Sequence, residues 1–186
     1  MEVKITPMLD KDLAEVVEFT DKWIGKNYFS KDELKEVLEK GTKDGKTACL
    51  LAWVGDDLAG ARLTYAPGHW IDETTRGLSP DIWRVEENRV GYFKSLFVSS
   101  DFQKMGIGGK LSRKSIEILK EMGAQAILCH SWLESPGNSS QLYLQKMGFD
   151  GVNEFPKFWY EVDYHCTRCG PDRCVCTAME MIKYLE

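Results

Sequence analysis

The chain has 186 residues, 43% hydrophobic and 28% charged, which suits one globular domain with a single core and leaves little room for long disordered stretches. Its formal net charge of -5 lacks the broad basic footprint that a phosphate backbone requires, so a nucleic acid is not expected as a partner. No stretch approaches the run of about eighteen apolar residues that spans a membrane, and Met1-Glu2-Val3-Lys4 is not a basic lead to an apolar segment, so the expected location is cytoplasmic, without a membrane partner.

Val3 to Thr6 reads as a short strand, and Leu13, Val16, Val17 and Thr20 recur at helical spacing through Trp23 and Ile24. Ser30-Lys31-Asp32-Glu33 has the form of a capping box, with Leu34, Val37 and Leu38 as an apolar face and Gly41 placed to stop a second helix. Ala48 to Val54 and Leu58 to Tyr65 flank Gly55-Asp56-Asp57, which predicts an antiparallel hairpin. Residues 66 to 90 hold Pro67, Gly68, Trp70, Gly77, Pro80 and Trp83 without a sustained period. A segment of this kind is either a lid or a packed surface excursion.

Gly91 to Val98 is a strand, and from Gly106 the pattern turns helical, with Ile107, Leu111, Ile118, Leu119 and Met122 inward, Lys114, Glu117 and Glu121 outward, and Gly123 at the end. Ala126 to Trp132 reads as a buried strand and Ser139 to Met147 as a short helix, with Asn138 and Gln141 as a cap pair and Gly148 as its stop. Phe155 to Val162 reads as one more strand, and Met179 to Leu185 as a last helix or strand. The order of elements predicts an α/β protein built on one central sheet.

The stretch from Leu96 through Leu111 holds the chemistry. A strand ending in Leu96-Phe97-Val98 runs through Gln103-Lys104-Met105-Gly106-Ile107-Gly108-Gly109-Lys110 into a helix, so amides left unpaired at the helix start can converge on a pyrophosphate. Two other phosphate loops fail here. GxxxxGK[ST] has Lys104 at its first glycine and Leu111 at the hydroxyl position, and GxGxxG has Leu111 where its third glycine belongs.

The strand followed by QxxGxG resembles the core motif of the GNAT superfamily of N-acetyltransferases, and the order of elements resembles that family over residues 1 to 162. A second family element, Asn138-Ser139-Ser140-Gln141-Leu142-Tyr143-Leu144-Gln145-Lys146-Met147-Gly148-Phe149, resembles the helix whose tyrosine faces the cofactor sulfur. Pro136 stands where many relatives place an asparagine seven residues before that tyrosine, so Asn138 is given no cofactor contact.

The resemblance implies a central, mostly antiparallel twisted sheet flanked by helices. It also implies acetyl-CoA lying along Leu96, Phe97 and Val98 with its pyrophosphate on residues 103 to 110, and Tyr143 as general acid for the departing thiolate. The acceptor is a primary amine of a small molecule or peptide, attacking directly in a ternary complex. Relatives often carry a base two or four residues before the Leu96 position, but Lys94 and Tyr92 stand there, which leaves His130 and Glu134 as base candidates. The competing reading is a non-catalytic acyl-CoA-binding or protein-interaction module.

Of six cysteines, Cys49 and Cys129 lie in apolar runs and read as core residues, whereas Cys166, Cys169, Cys174 and Cys176 crowd into eleven positions. Cys166-Thr167-Arg168-Cys169-Gly170 is a CxxCG knuckle, and with Cys174-Val175-Cys176 it offers four thiolates to a tetrahedral zinc, with His165 as a spare ligand. Free thiols, a redox pair and an iron-sulfur centre are the alternatives. The expected organisation is an acetyltransferase domain over 1–162 with a cysteine-rich tail, 163–186, packed on or beside it.

Overall fold

The computed structural model describes residues 2–162 and 166–186. A seven-stranded sheet in the order β1-β4-β5-β6-β7-β9-β8 forms its centre. The strands are β1 (Val3–Pro7), β4 (Leu50–Val54), β5 (Asp57–Tyr65), β6 (Val90–Val98), β7 (Ala126–Trp132), β8 (Asp150–Phe155) and β9 (Ala178–Tyr184), and β2 (Thr42–Lys43) with β3 (Lys46–Thr47) forms a separate small hairpin. Every neighbouring pair in the large sheet is antiparallel except β6 and β7. The four α-helices among the described residues are α1 (Leu13–Trp23), α2 (Lys31–Lys40), α3 (Ile107–Glu121) and α4 (Ser139–Lys146). This is the mixed α/β architecture that the sequence predicts.

The capping box forms as read. Glu33 N–H donates to Ser30 Oγ at 3.2 Å while Ser30 N–H donates to Glu33 Oε2 at 2.7 Å, satisfying amides that the first turn of α2 leaves open. The apolar faces of α1 and α2, carried by Leu13, Val16, Phe19, Leu34 and Val37, bury against Leu51, Ala61, Leu63 and Phe97 of the sheet. On the opposite face α3 sets Ile107 and Leu111 against Leu50 and Ala52, and Leu144 of α4 joins Phe93, Leu119, Ile127 and Phe149. Cys49 and Cys129 are buried core thiols, and burial pushes each up to about 11.

Two readings change. Phe155 to Val162 is not a strand: β8 starts earlier, at Asp150, and Phe155 is its last residue. Pro156 has no N–H for a ladder, Lys157 sits at φ 55, and residues 156 to 162 turn instead. β8 is an edge strand whose residues are largely exposed, so the apolar alternation that marks a half-buried strand is missing from it. Asn138 is not a side-chain cap of α4. It adopts φ 53, and its Nδ2 donates to Gln141 Oε1 at 2.8 Å, away from the helix amides.

The segment 66–90 is packed against the sheet. Trp83 is fully buried and Trp70 nearly so, among Val90, Ala126, Leu128 and Ile182. Of the open alternatives, helix or strand, residues 178 to 184 take the strand, and β9 enters the sheet between β7 and β8. No described helix is long and apolar enough to cross a membrane.

Candidate active site

Parallel pairing between β6 and β7 lasts only from Val90↔Ala126 to Tyr92↔Leu128, after which the two strands part. Each stays bound to its outer neighbour, β6 to β5 as far as Gly60↔Val98 and β7 to β9 as far as Trp132↔Ala178. The sheet therefore opens as a wedge, and the backbone groups that line it on Leu96, Phe97 and Val98 face no strand partner from β7. At the apex the β5–β6 register steps from Leu63↔Ser95 to Thr64↔Phe93, so Lys94 is the extra residue of a bulge.

One side of the wedge leads into the turn before α3. Ser99 Oγ accepts from Asp101 N–H at 3.2 Å, which folds the chain sharply after β6. Lys104 and Gly106 then take left-handed φ values of 66 and 72, and Gly106 caps α3 without a side-chain hydrogen bond. The first intrahelical bond runs from Lys110 N–H to Gly106 O at 3.0 Å, so the amides of Ile107, Gly108 and Gly109 precede the helical ladder. Ile107 is buried and anchors the turn, while a Cβ at Gly108 would lie 3.2 Å from Leu96 Cδ2. Gln103, Lys104, Met105 and Lys110 complete the turn around these amides. Tyr143, projecting from α4, donates to Gly108 O at 3.0 Å and pairs with Ser112 Oγ at 2.7 Å, so its hydroxyl stands at the first turn of α3.

The other side of the wedge holds His130, whose two ring nitrogens are both engaged. Nε2 lies 2.6 Å from Gly77 O, which only accepts, so Nε2 carries the proton and Nδ1 accepts from Tyr92 OH at 2.9 Å. Burial brings the ring down to about 4 against the opposing bond to Gly77, and His130 is neutral near pH 7. Lys94 lies 5.8 Å from the Tyr65 ring centroid and 5.9 Å from that of Phe29, and burial, then Lys40, lowers its pKa. Glu134 stands apart: its two oxygens accept Thr177 N–H at 3.1 and 2.9 Å, and Arg168 Nη1 lies 3.7 Å away.

These features meet what comparison with known proteins finds. The sequence matches the model of the acetyltransferase (GNAT) family over residues 15–149. The chain belongs to the GNAT acetyltransferase family. It is accordingly an N-acetyltransferase, an acyltransferase of class EC 2.3.1 that draws on acetyl-CoA.

Solved GNAT-like structures resemble it over their full length. Ard1 from Thermoplasma volcanium has a TM-score of 0.69 at 11% identity, covering 100% of this chain and 99% of that one. Naa50 of Arabidopsis thaliana, solved with the bisubstrate analogue CoA-Ac-MVNAL, has 0.67 at 14%, covering 100% of both. An acetyltransferase of Bacillus subtilis in complex with CoA has 0.62 at 22%, covering 100% and 99%. Comparison with curated proteins yields no match.

Outside the wedge, the GNAT chain gathers Cys166, Cys169, Cys174 and Cys176 so that their sulfurs all lie within 4.8 Å of one another, with Cys166–Cys176 at 3.9 Å and Cys169–Cys176 at 3.7 Å. Tetrahedral zinc with Zn–S of about 2.3 Å places its sulfurs about 3.8 Å apart, so the donor set fits that ion. Gly170 at φ 72 returns its N–H to Cys166 O at 2.9 Å, forming the knuckle, and the thiols form no disulfide. His165 lies outside the described residues.

Two buried charges escaped the sequence reading. Glu180, between Met179 and Met181 on β9, is fully buried, and its Oε1 accepts Ser79 N–H at 3.0 Å and Trp83 Nε1–H at 2.9 Å. Arg62 of β5 is buried with its guanidinium 3.4 Å over the Phe93 ring. A charged residue in an apolar run was the only signal for either.

Proposed function

We propose that this enzyme transfers acetyl from acetyl-CoA to a primary amine by direct attack in a ternary complex. The observation that carries the reading is the convergence of the unpaired wedge edge of β6, the uncapped start of α3 and the Tyr143 hydroxyl. On this reading Leu96, Phe97 and Val98 offer backbone groups to the pantetheine arm as an added strand would, and residues 103 to 110 hold the pyrophosphate with their amides. A backbone N–H near Val98 stabilises the oxyanion of the tetrahedral intermediate.

Tyr143 supplies the proton to the departing thiolate: its O–H turns from Gly108 O to the sulfur, while Ser112 Oγ donates to the phenolic oxygen. Of the two base candidates, His130 adjoins the apex of the wedge through Tyr92, and Glu134 is held by Thr177. A ring with a pKa of about 4 is a weak proton acceptor, so His130 acts as a positioning residue, and the amine loses its proton to solvent beside Lys40 and Lys94, whose charges disfavour an ammonium ion. Peptide N-termini are the acceptors to try first, because the similar Naa50 was solved with a CoA–peptide analogue.

The four thiolates are read as a structural zinc site in which Cys166, Cys169, Cys174 and Cys176 hold the ion and the ion closes the 166–176 loop. The tail, 163–186, then completes the domain formed by 1–162. Incubating the protein with acetyl-CoA and a panel of peptides and small amines, with free thiol as the readout, tests the function. Tight CoA binding without thiol release for any amine would favour a non-catalytic binding module instead.

A further inference from the structure

The cysteine loop touches more than itself. Thr177 is tied to Leu133 and Glu134, but residues 171 to 176 have no regular structure, so the course of the loop between Cys166 and Cys176 depends on its cysteines. Cys176 sits at the hub, near both Cys166 and Cys169, and its carbonyl oxygen accepts Phe158 N–H at 3.1 Å. This backbone hydrogen bond ties the 156–162 turn to the cysteine loop, whereas those from Tyr160 to Lys157 and from Val162 to Trp159 are internal to the turn. Trp132 and Trp159 pack on the same thiols.

Phe158 in turn forms a wall. Its ring stacks on His130 at 4.4 Å between centroids and presses so closely on Gly77 that a Cβ there would lie 2.3 Å from Phe158 Cε2. Together with Tyr65, Trp70, Tyr92 and His130 it lines a cavity of about 200 Å³. That cavity adjoins the apex of the wedge, because Tyr92 is the last β6 residue paired with β7 and Lys94 of the bulge follows two residues later.

Three polar groups of the aromatic wall are already engaged. Tyr92 OH donates to His130 Nδ1, His130 Nε2 to Gly77 O, and Trp70 Nε1 to Val90 O at 2.7 Å. Trp70 stacks on Tyr92 at 4.7 Å, so aromatic rings form one wall, while Asp72, Thr74, Thr75 and Arg76 bring polar atoms to the rest of the cavity. The rim carries Arg76 against Asp72, and Lys40 is paired with Glu36 at 2.8 Å, so no unopposed anion is left to hold a cationic occupant.

We propose that the four-cysteine site is a metal buttress for an acceptor pocket: the ion fixes Cys176, Cys176 fixes Phe158, and Phe158 belongs to the aromatic wall of a cavity that takes an uncharged, ring-bearing side chain next to the acceptor amine. The proposal rests on the zinc and acetyl-transfer readings above and adds that metal occupancy sets acceptor affinity while leaving the CoA seat intact. The coupling is local, since the 103–110 turn is anchored by Ile107, Leu96 and Ser99, whereas the cysteines pack in a separate cluster with Trp132 and Trp159.

The test uses the full chain, zinc-loaded and chelator-stripped, with hydrogen–deuterium exchange, CoA calorimetry and acetylation of the amidated tetrapeptides Phe-Ala-Ala-Ala and Lys-Ala-Ala-Ala. Stripping is expected to speed exchange at 156–162 and 75–79 but not at 103–110, and to leave the Kd for CoA within about twofold while the KM for the Phe peptide rises about tenfold or more. Phe158→Ala, with zinc retained, should reproduce the KM rise, and the Phe peptide should be preferred over the Lys peptide. A protein that binds no zinc sinks the metal reading itself. Stoichiometric zinc whose removal leaves exchange at 156–162 unchanged, or a Phe158→Ala variant with unaltered KM, overturns the buttress. Equal use of both peptides, or of neither, overturns the aromatic pocket, and loss of CoA binding on stripping overturns the claim of local coupling.

Discussion

The hydroxyl of Tyr143 donates to the carbonyl oxygen of Gly108 at 3.0 Å, tying α4 to the first turn of α3. Position rather than packing is what this bond supplies, because Leu144 is the only residue of α4 that is fully buried and the helix has just eight residues. Tyr143→Phe keeps the ring and removes the proton donor. We expect kcat to fall by about 10²-fold, with CoA affinity by calorimetry nearly unchanged and a melting temperature within a few degrees of the parent.

The Gly106 backbone at φ 72 has open space where a Cβ would stand, so a side chain there meets conformational strain and no clash. Gly106→Ala is expected to destabilise the fold by about 1 kcal/mol and to weaken CoA binding more than about tenfold by tilting the amides of the turn. Denaturant titration and calorimetry separate the two effects.

Burial lowers His130 from its ordinary 6.5 to about 4, which sets a sign for stability against pH. The unfolded chain takes up the proton first as pH falls, so the contribution is fully present above about 6.5 and drains away between 6.5 and 4. It amounts to about 3 kcal/mol at most, from 1.36 kcal/mol per pH unit. His130→Phe should flatten the stability profile across that window in urea melts, and the parent kcat/KM should show no inflection from this ring above pH 5, a value of about one unit beyond its pKa.

Glu180 holds the 66–90 segment by accepting from Ser79 N–H and Trp83 Nε1–H. Glu180→Ala orphans two donors, at about 1–3 kcal/mol each if they stay buried. Lower thermal stability and faster proteolysis within 66–90 are expected, with Glu180→Gln milder because an amide oxygen can still accept from both.

The elements were largely legible because their signals are local. The capping box at Ser30 and Glu33, the 3.6-residue period of α1 to α3 and the apolar run of β7 each depend on neighbours in the chain. β8 was displaced because an edge strand is exposed on most of its length and Asp150-Gly151-Val152-Asn153-Glu154 carries no strand-like composition. Among candidate site residues, the glycine turn and the cysteine cluster are each local in sequence and so legible there as candidates. The contacts of His130 and Glu180 join residues 53 and 97 to 101 positions apart, and no spacing rule reaches that far.

By itself the sequence determined the family, the α/β class and the glycine turn that opens α3, because backbone conformation at glycines and helix starts is set within a few residues. Only tertiary structure decided where the wedge between β6 and β7 ends, which hydrogen bonds occupy His130, and that β9 enters the sheet beside β7. Those features come from strand register and from side chains meeting across the sheet, where long-range packing selects among conformations that local preference leaves equivalent.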